Sequence, residues 1–158
     1  MLGRLYEGQD CAAASTLEIV GERWSLLILR DALFKDYTHF SDFEKSLGIA
    51  ANILARRLEA FVAAGIMKAV PALSHSNHYE YVLTEKGQDF KPVIVALTAW
   101  GDKWLSPGPI EYVHETCGAL VHQHFHCEQC EVDPSSAEVR VRLRQAGPRG
   151  PKVEAETI

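Results

Sequence analysis

His114, Cys117, His122, His124, His126, Cys127 and Cys130 crowd into one stretch near the C-terminal end of this 158-residue chain. Cys127-Glu128-Gln129-Cys130 has the two-residue spacing that lets both thiolates face one metal ion. His114 and Cys117 repeat that spacing, so His114, Cys117, Cys127 and Cys130 make a donor set of the kind that holds structural zinc in ribbons and knuckles. His122, His124 and His126 alternate and would share one face of a strand, and any one of them can replace His114 as fourth ligand. Two readings compete with zinc: a redox-active cysteine pair and a metal-free β-appendage. Glu131 follows Cys130 where a tight knuckle prefers glycine. Three or four protein ligands leave no open coordination position for catalysis. Elsewhere the chain offers no paired nucleophile and base and no phosphate-binding loop, so an enzyme is not expected.

The elements that must position such residues are written in the hydrophobic periodicity. Ser15 with Glu18 has capping-box spacing, and Leu17, Val20 and Trp24 recur at helical period, with Gly21 loosening the helix before the apolar run Trp24 to Leu29. Ser41 with Glu44 offers a second cap for a short helix ending near Gly48. The run from Ala51 to Ala64 sets Leu54, Leu58, Phe61 and Val62 on one face and stops at Gly65. Two short helices about a glycine-containing turn make a helix-turn-helix. Residues 66–70 and 79–83 read as a two-stranded wing about a polar loop. Thr84 caps the next helix, whose regular part begins near Lys91 because Pro92 is tolerated only in a first turn. Its stripe of Phe90, Val93, Ile94, Leu97, Trp100 and Trp104 is wide enough for a partner helix. Tyr37, Phe40 and Phe43 are expected in the core, and alternation over residues 138–143 predicts a strand.

The fold class expected is mainly α with a small β-wing: a winged helix-turn-helix over residues 10–106, a small β-rich Cys/His appendage over 110–145, and a loose tail over 146–158. At 47% hydrophobic and 23% charged residues the composition is that of a globular chain. The apolar stretch Trp24 to Leu29, broken by Ser25, is far too short for a membrane span, and the N-terminus has no secretory-signal pattern, so a cytoplasmic location without membrane partners is expected. In that reducing compartment clustered cysteines point to metal or redox chemistry before disulfides.

Cys11, Thr16-Leu17, Gly21-Glu22-Arg23-Trp24, Leu27-Ile28-Leu29-Arg30-Asp31, Phe40-Ser41-Asp42, Leu54-Ala55-Arg56-Arg57-Leu58, Ala64-Gly65-Ile66 and Tyr79 through Gly87 succeed one another in an order that resembles the HxlR family of MarR-like regulators. The resemblance covers roughly residues 10–105. It implies a homodimer built from the first helix and the long helix ending near Trp104, through Leu17, Val93, Leu97, Trp100 and Trp104. For the two tryptophans a ligand pocket is the competing reading. The resemblance also implies a transcription regulator bound to double-stranded operator DNA. Cys11, just before the first helix, stands where several members carry a cysteine that responds to oxidants or electrophiles; a small-ligand effector is the other possibility, and a small apolar packing residue the plain one.

A helix from Ala51 would enter the major groove, with Asn52 suited to adenine, Arg56 to guanine, Arg57 to phosphate, and Thr38 and Ser41 to the DNA backbone. A merely solvated helix face is the alternative for both arginines. His75 and Asn77 of the wing, with Ser76 and His78 beside them, are candidates for phosphate contacts. The sequence departs from the family at Ala50, where a capping serine is usual, at Asn52 and Arg56, where lysine and glutamine are frequent, and in a wing without its usual arginine. A net charge of −5 argues against broad nucleic-acid affinity, so a locally basic face must carry it. A protein-interaction adaptor, using the winged domain and the Cys-rich appendage without DNA, is the reading from another class.

Overall fold

Helix α1 (Ala12–Val20) starts at a cysteine. In this computed structural model, which describes Tyr6, Gly8, Gln9 and residues 11–72 and 79–143, Cys11 is the N-cap and its Sγ accepts from the Ala14 amide at 3.4 Å. The cap expected at Ser15 is therefore four residues too late. Ala12-Ala13-Ala14 has the best helix propensity available and carries the helix back. The Ser15 and Thr16 hydroxyls donate to the carbonyls of Cys11 and Ala12 inside it. Glu18, freed from a capping box, accepts from the Tyr6 amide at 2.8 Å.

Helix α2 (Ser25–Phe34) is the hub, with Ile28 and Leu29 fully buried. Helix α3 (Phe40–Leu47) begins one residue before the expected Ser41 cap, with His39 as N-cap and no side chain capping it. Tertiary pairing explains the shift. The segment before α3 is held extended by the Tyr81 amide donating to the Thr38 carbonyl at 2.8 Å and by a bridge between His39 and Glu80. Gly48, left-handed at φ 60, turns the chain toward α4 (Ala51–Ala63), which buries Leu54, Leu58 and Phe61.

The C-terminal end of α4 is locked to the wing. Gly65 donates to the Val62 carbonyl at 3.0 Å and Ile66 to the Phe61 carbonyl at 2.9 Å, a Schellman motif with Gly65 at φ 68. Strands β1 (Met67–Pro71) and β2 (Tyr79–Leu83) pair antiparallel from Met67 opposite Leu83 to Pro71 opposite Tyr79, the expected wing. Thr84 caps the one-turn helix α5 (Glu85–Gln88), accepting from the Gly87 amide, while its hydroxyl donates to the Gly65 carbonyl at 2.7 Å. Lys86 Nζ reaches the Ala64 carbonyl at 2.7 Å. A Cβ on Gly87 would stand 2.3 Å from the Ile66 carbonyl oxygen, which is backbone and cannot step aside. Gly87→Ala is therefore expected to destabilise the chain by about 1–3 kcal/mol, the usual cost of overpacking, read as a lower urea midpoint at unchanged slope.

Asp31 is charged, fully buried and fully partnered. Arg30 Nε and Nη2 lie 2.8 and 2.7 Å from Oδ1, Lys35 Nζ lies 3.0 Å from the same oxygen, and the Ser46 hydroxyl donates to Oδ2 at 2.6 Å. Burial pushes this carboxyl up, but the hydrogen bonds from Ser46, Arg30 and Lys35 together outweigh it and hold it below the ordinary carboxylate range. The cluster ties α2 to α3.

Helix α6 (Lys91–Trp104) starts where Pro92 falls in the first turn, as expected. Ile94 and Val95 are buried, while Val93, Leu97, Trp100 and Trp104 remain exposed. The chain divides into two compact units, Met1–Thr98 and Ala99–Ile158, so the division falls within α6. In the second unit no described residue is buried. Its β-structure is confined to two antiparallel bridges, Val113 with Leu120 and Cys127 with Val132. The strand expected over 138–143 does not form. Ser135 and Glu138 close a capping box around a 3₁₀ turn, Ser136–Glu138, and Val141 and Leu143 beyond it are more than 90% exposed. Alternation records only which side of a strand would be apolar; a strand also needs a partner for its backbone groups, and none lies among the described residues. The tail from 144 lies outside the described residues. Among those described, no helix is long and apolar enough to cross a membrane.

Candidate nucleic-acid interface and cysteine sites

The outer face of α4 is defined by what its inner face buries. With Leu54, Leu58 and Phe61 turned inward, Ala51, Asn52, Arg56, Glu59 and Ala60 are exposed. Asn52 and Arg56 are one helical turn apart, about 6 Å along the axis, close to two base-pair steps of ~3.4 Å. The alanines around them let the backbone approach a groove closely. Ala50, the N-cap, has no side-chain bond to the first turn of α4, so the outward amides and the positive end of the helix dipole are left for an anion.

Arg57 is placed differently from Arg56. Its side chain is only 12% exposed and Nη1 lies 3.8 Å from Glu22 Oε1. In this arrangement it braces α4 against the α1–α2 connection and is not presented on the outer face. Glu22 was not singled out in the sequence; the signal for it is an acidic residue in a tight turn beside an arginine-rich helix. Asp31 was also missed, although a carboxylate inside an apolar run with lysine four residues later is itself a sign of a buried, partnered charge. Ser41 is exposed in the first turn of α3 and Thr38 half-buried just before it. His75 and Asn77, with Ser76 and His78, lie outside the described residues.

Cys11 is exposed at the N-terminus of α1. Leu17 on α1 is exposed as well, and Val93, Leu97, Trp100 and Trp104 follow the i, i+4, i+7, i+11 spacing of a single stripe along α6.

In the second unit the cysteines and histidines other than His122 sort into three groups. His114 Nδ1 lies 3.3 Å from Cys117 Sγ. Cys127 and Cys130 are hydrogen-bonded to one another; the Cys130 and Gln129 backbone amides and then the Cys130 thiol hold the Cys127 thiol below its ordinary range, and that same bond pushes Cys130 up. His126 Nδ1 and His124 Nε2 both face Asp133, at 2.9 and 3.5 Å, and the His126 bond in particular keeps Asp133 low. All four cysteines are free. Among the described residues no three such side chains converge in metal-binding geometry.

A helix-turn-helix with an exposed second helix, followed by a two-stranded wing, defines a winged-helix DNA-binding protein. The chain belongs to the HxlR-like helix-turn-helix family, whose model matches residues 19–109. An uncharacterised HTH-type transcriptional regulator of Mycobacterium tuberculosis is 39% identical over 132 residues, 82% of each chain. Among solved structures, PA1607, assigned as a transcription factor, is 37% identical with a TM-score of 0.77 over 86% of this chain and 96% of its own. The regulator YodB of Bacillus subtilis, solved in a quinone-bound form, is 27% identical with a TM-score of 0.51 over 60% of this chain and 99% of its own. These relatives are named as regulators of transcription, the first of them of helix-turn-helix type.

Proposed function

We propose that this regulator works as a homodimer in the cytoplasm, laying the α4 of each copy in successive major grooves of a pseudo-palindromic operator. The exposed pair Asn52 and Arg56 on an otherwise alanine-rich outer face is the observation that carries this reading. Arg56 reads a guanine, Asn52 an adenine, and the uncapped first turn from Ala51 takes a phosphate. Ser41 and Thr38 contact the DNA backbone. Arg57 acts through Glu22 as a positioning residue for α4. Two copies meet through Leu17 and the α6 stripe of Val93, Leu97, Trp100 and Trp104, which supports a dimer because one chain leaves all five exposed. An electrophile or oxidant at Cys11, or a small ligand, shifts the spacing of the two reading helices and so the affinity. The exposed thiol capping α1 supports that signal, as does the likeness to quinone-bound YodB.

Fluorescence anisotropy on the fragment upstream of the protein's own gene tests the proposal. Nanomolar binding that weakens steeply with salt is expected. Arg56→Ala should cost about 1–3 kcal/mol and relax preference at one base pair of each half-site. Failure to bind any promoter fragment would overturn it in favour of a protein-interaction adaptor.

A further inference from the structure

The second unit has the size of a small domain, and no core forms among its described residues. Val113, Leu120, Val121, Phe125 and Val132 are all at least 40% exposed, and stretches below about 40 residues usually need a disulfide, a metal or a partner to hold a fold. No disulfide is present among its cysteines.

What the unit does have is the same turn made twice. In the first, Val113 bridges Leu120, the Gly118 amide donates to the His114 carbonyl at 2.8 Å, and Gly118 is left-handed at φ 70. In the second, Cys127 bridges Val132, the Glu131 amide donates to the Cys127 carbonyl at 2.8 Å, and Glu131 is left-handed at φ 56. Each turn sets a soft or imidazole donor at its first and fourth positions and closes with a left-handed residue. Glutamate tolerates that conformation only at a cost of roughly 1–2 kcal/mol, so the shape of the second turn is enforced and not a by-product of glycine. The His114 nitrogen and Cys117 sulfur, 3.3 Å apart, are near the ~3.5 Å edge of a tetrahedron with Zn–N ~2.0 Å and Zn–S ~2.3 Å. His124 and His126 are committed to Asp133, and of the other two histidines it is His114 whose ring nitrogen stands beside a cysteine sulfur.

We propose that the two turns are preformed halves of one structural zinc site, His114 and Cys117 in one and Cys127 and Cys130 in the other. The ion draws the halves together and supplies the core that the unit lacks. Three thiols lose their protons to solvent as thiolates bind, and the one-imidazole, three-thiolate set suits tetrahedral Zn²⁺ with no position left for substrate.

Elemental analysis of the full-length protein, stripped with chelator under reducing conditions and reloaded with zinc chloride, should return about one zinc per chain. Cobalt(II) in its place should show thiolate charge-transfer bands and a tetrahedral visible spectrum, which tests the ligands without mutation. Zinc should protect the chain beyond residue 106 from proteolysis. His114→Ala and Cys127→Ser should lose the metal, and His126→Ala should keep it. Wild-type protein that takes up no zinc, stoichiometry of one ion per two chains, or metal lost with His126 and kept without His114 would each overturn the proposal.

Discussion

Leu97→Asp should convert the protein to a monomer and lower its operator affinity by roughly 10²–10⁴-fold, the avidity lost when two linked half-site contacts become one. Leu97 is 51% exposed in the middle of the α6 stripe, one turn beyond buried Ile94 and on the opposite side of the helix from buried Val95. A carboxylate there would be desolvated without a partner in any interface that covers the stripe. Within one copy it would remain in water, so helix content and thermal unfolding of the isolated winged domain should change little. Light scattering after size exclusion measures mass, and anisotropy measures binding at the same concentrations. A variant that stays dimeric would move the interface away from α6. A variant that becomes monomeric but binds equally well would separate DNA reading from dimerisation.

Asp31→Ala should destabilise the winged domain by about 2–3 kcal/mol, the scale of hydrogen bonds to a charged group, or roughly 5–15 °C in Tm. The loss falls on three donors at once, and the Ser46 hydroxyl and Lys35 ammonium would be left to each other and to water. Because Arg30 and Lys35 are more than a third exposed, their charges stay solvated, which keeps the cost below that of stranding a buried ion. The effect has a pH signature. Asp31 titrates lower in the folded chain than its unfolded value near 3.9. Its contribution is therefore complete above about pH 5 and is lost as pH falls through the folded value. Wild type and variant should differ most between pH 5 and 7 and converge in acid. Differential scanning calorimetry across that range checks it, and a difference that persists unchanged at pH 2 would mean that the carboxylate's charge is not what holds α2 to α3.

Much of the fold was legible because its signals are local. The Schellman end of α4 at Gly65, the Thr84 cap and the start of α6 at Lys91 all follow from turn chemistry and period within a few residues. The two early helix starts were misplaced for a reason of competition. At α1 three alanines prevail over a good cap further on, and at α3 the pairing of the Thr38–His39 segment with β2 moves the cap two residues earlier, from Ser41 to His39.

The order of elements, the helix from Ala51, the family, and the recurrence of donors three apart in the C-terminal stretch could all be read before any fold was known, since each depends on spacing along the chain. Which charges are partnered and which are presented could not; tertiary packing settles that. Arg56 and Arg57 are adjacent and chemically identical, yet one faces solvent and the other Glu22, because 100° of helix rotation separates them. His114 stands apart from His124 and His126 because the turn between Cys127 and Val132 brings Asp133 back to the latter two. Such pairings join residues whose separation along the chain carries no period, so they become visible only once the backbone has brought them together.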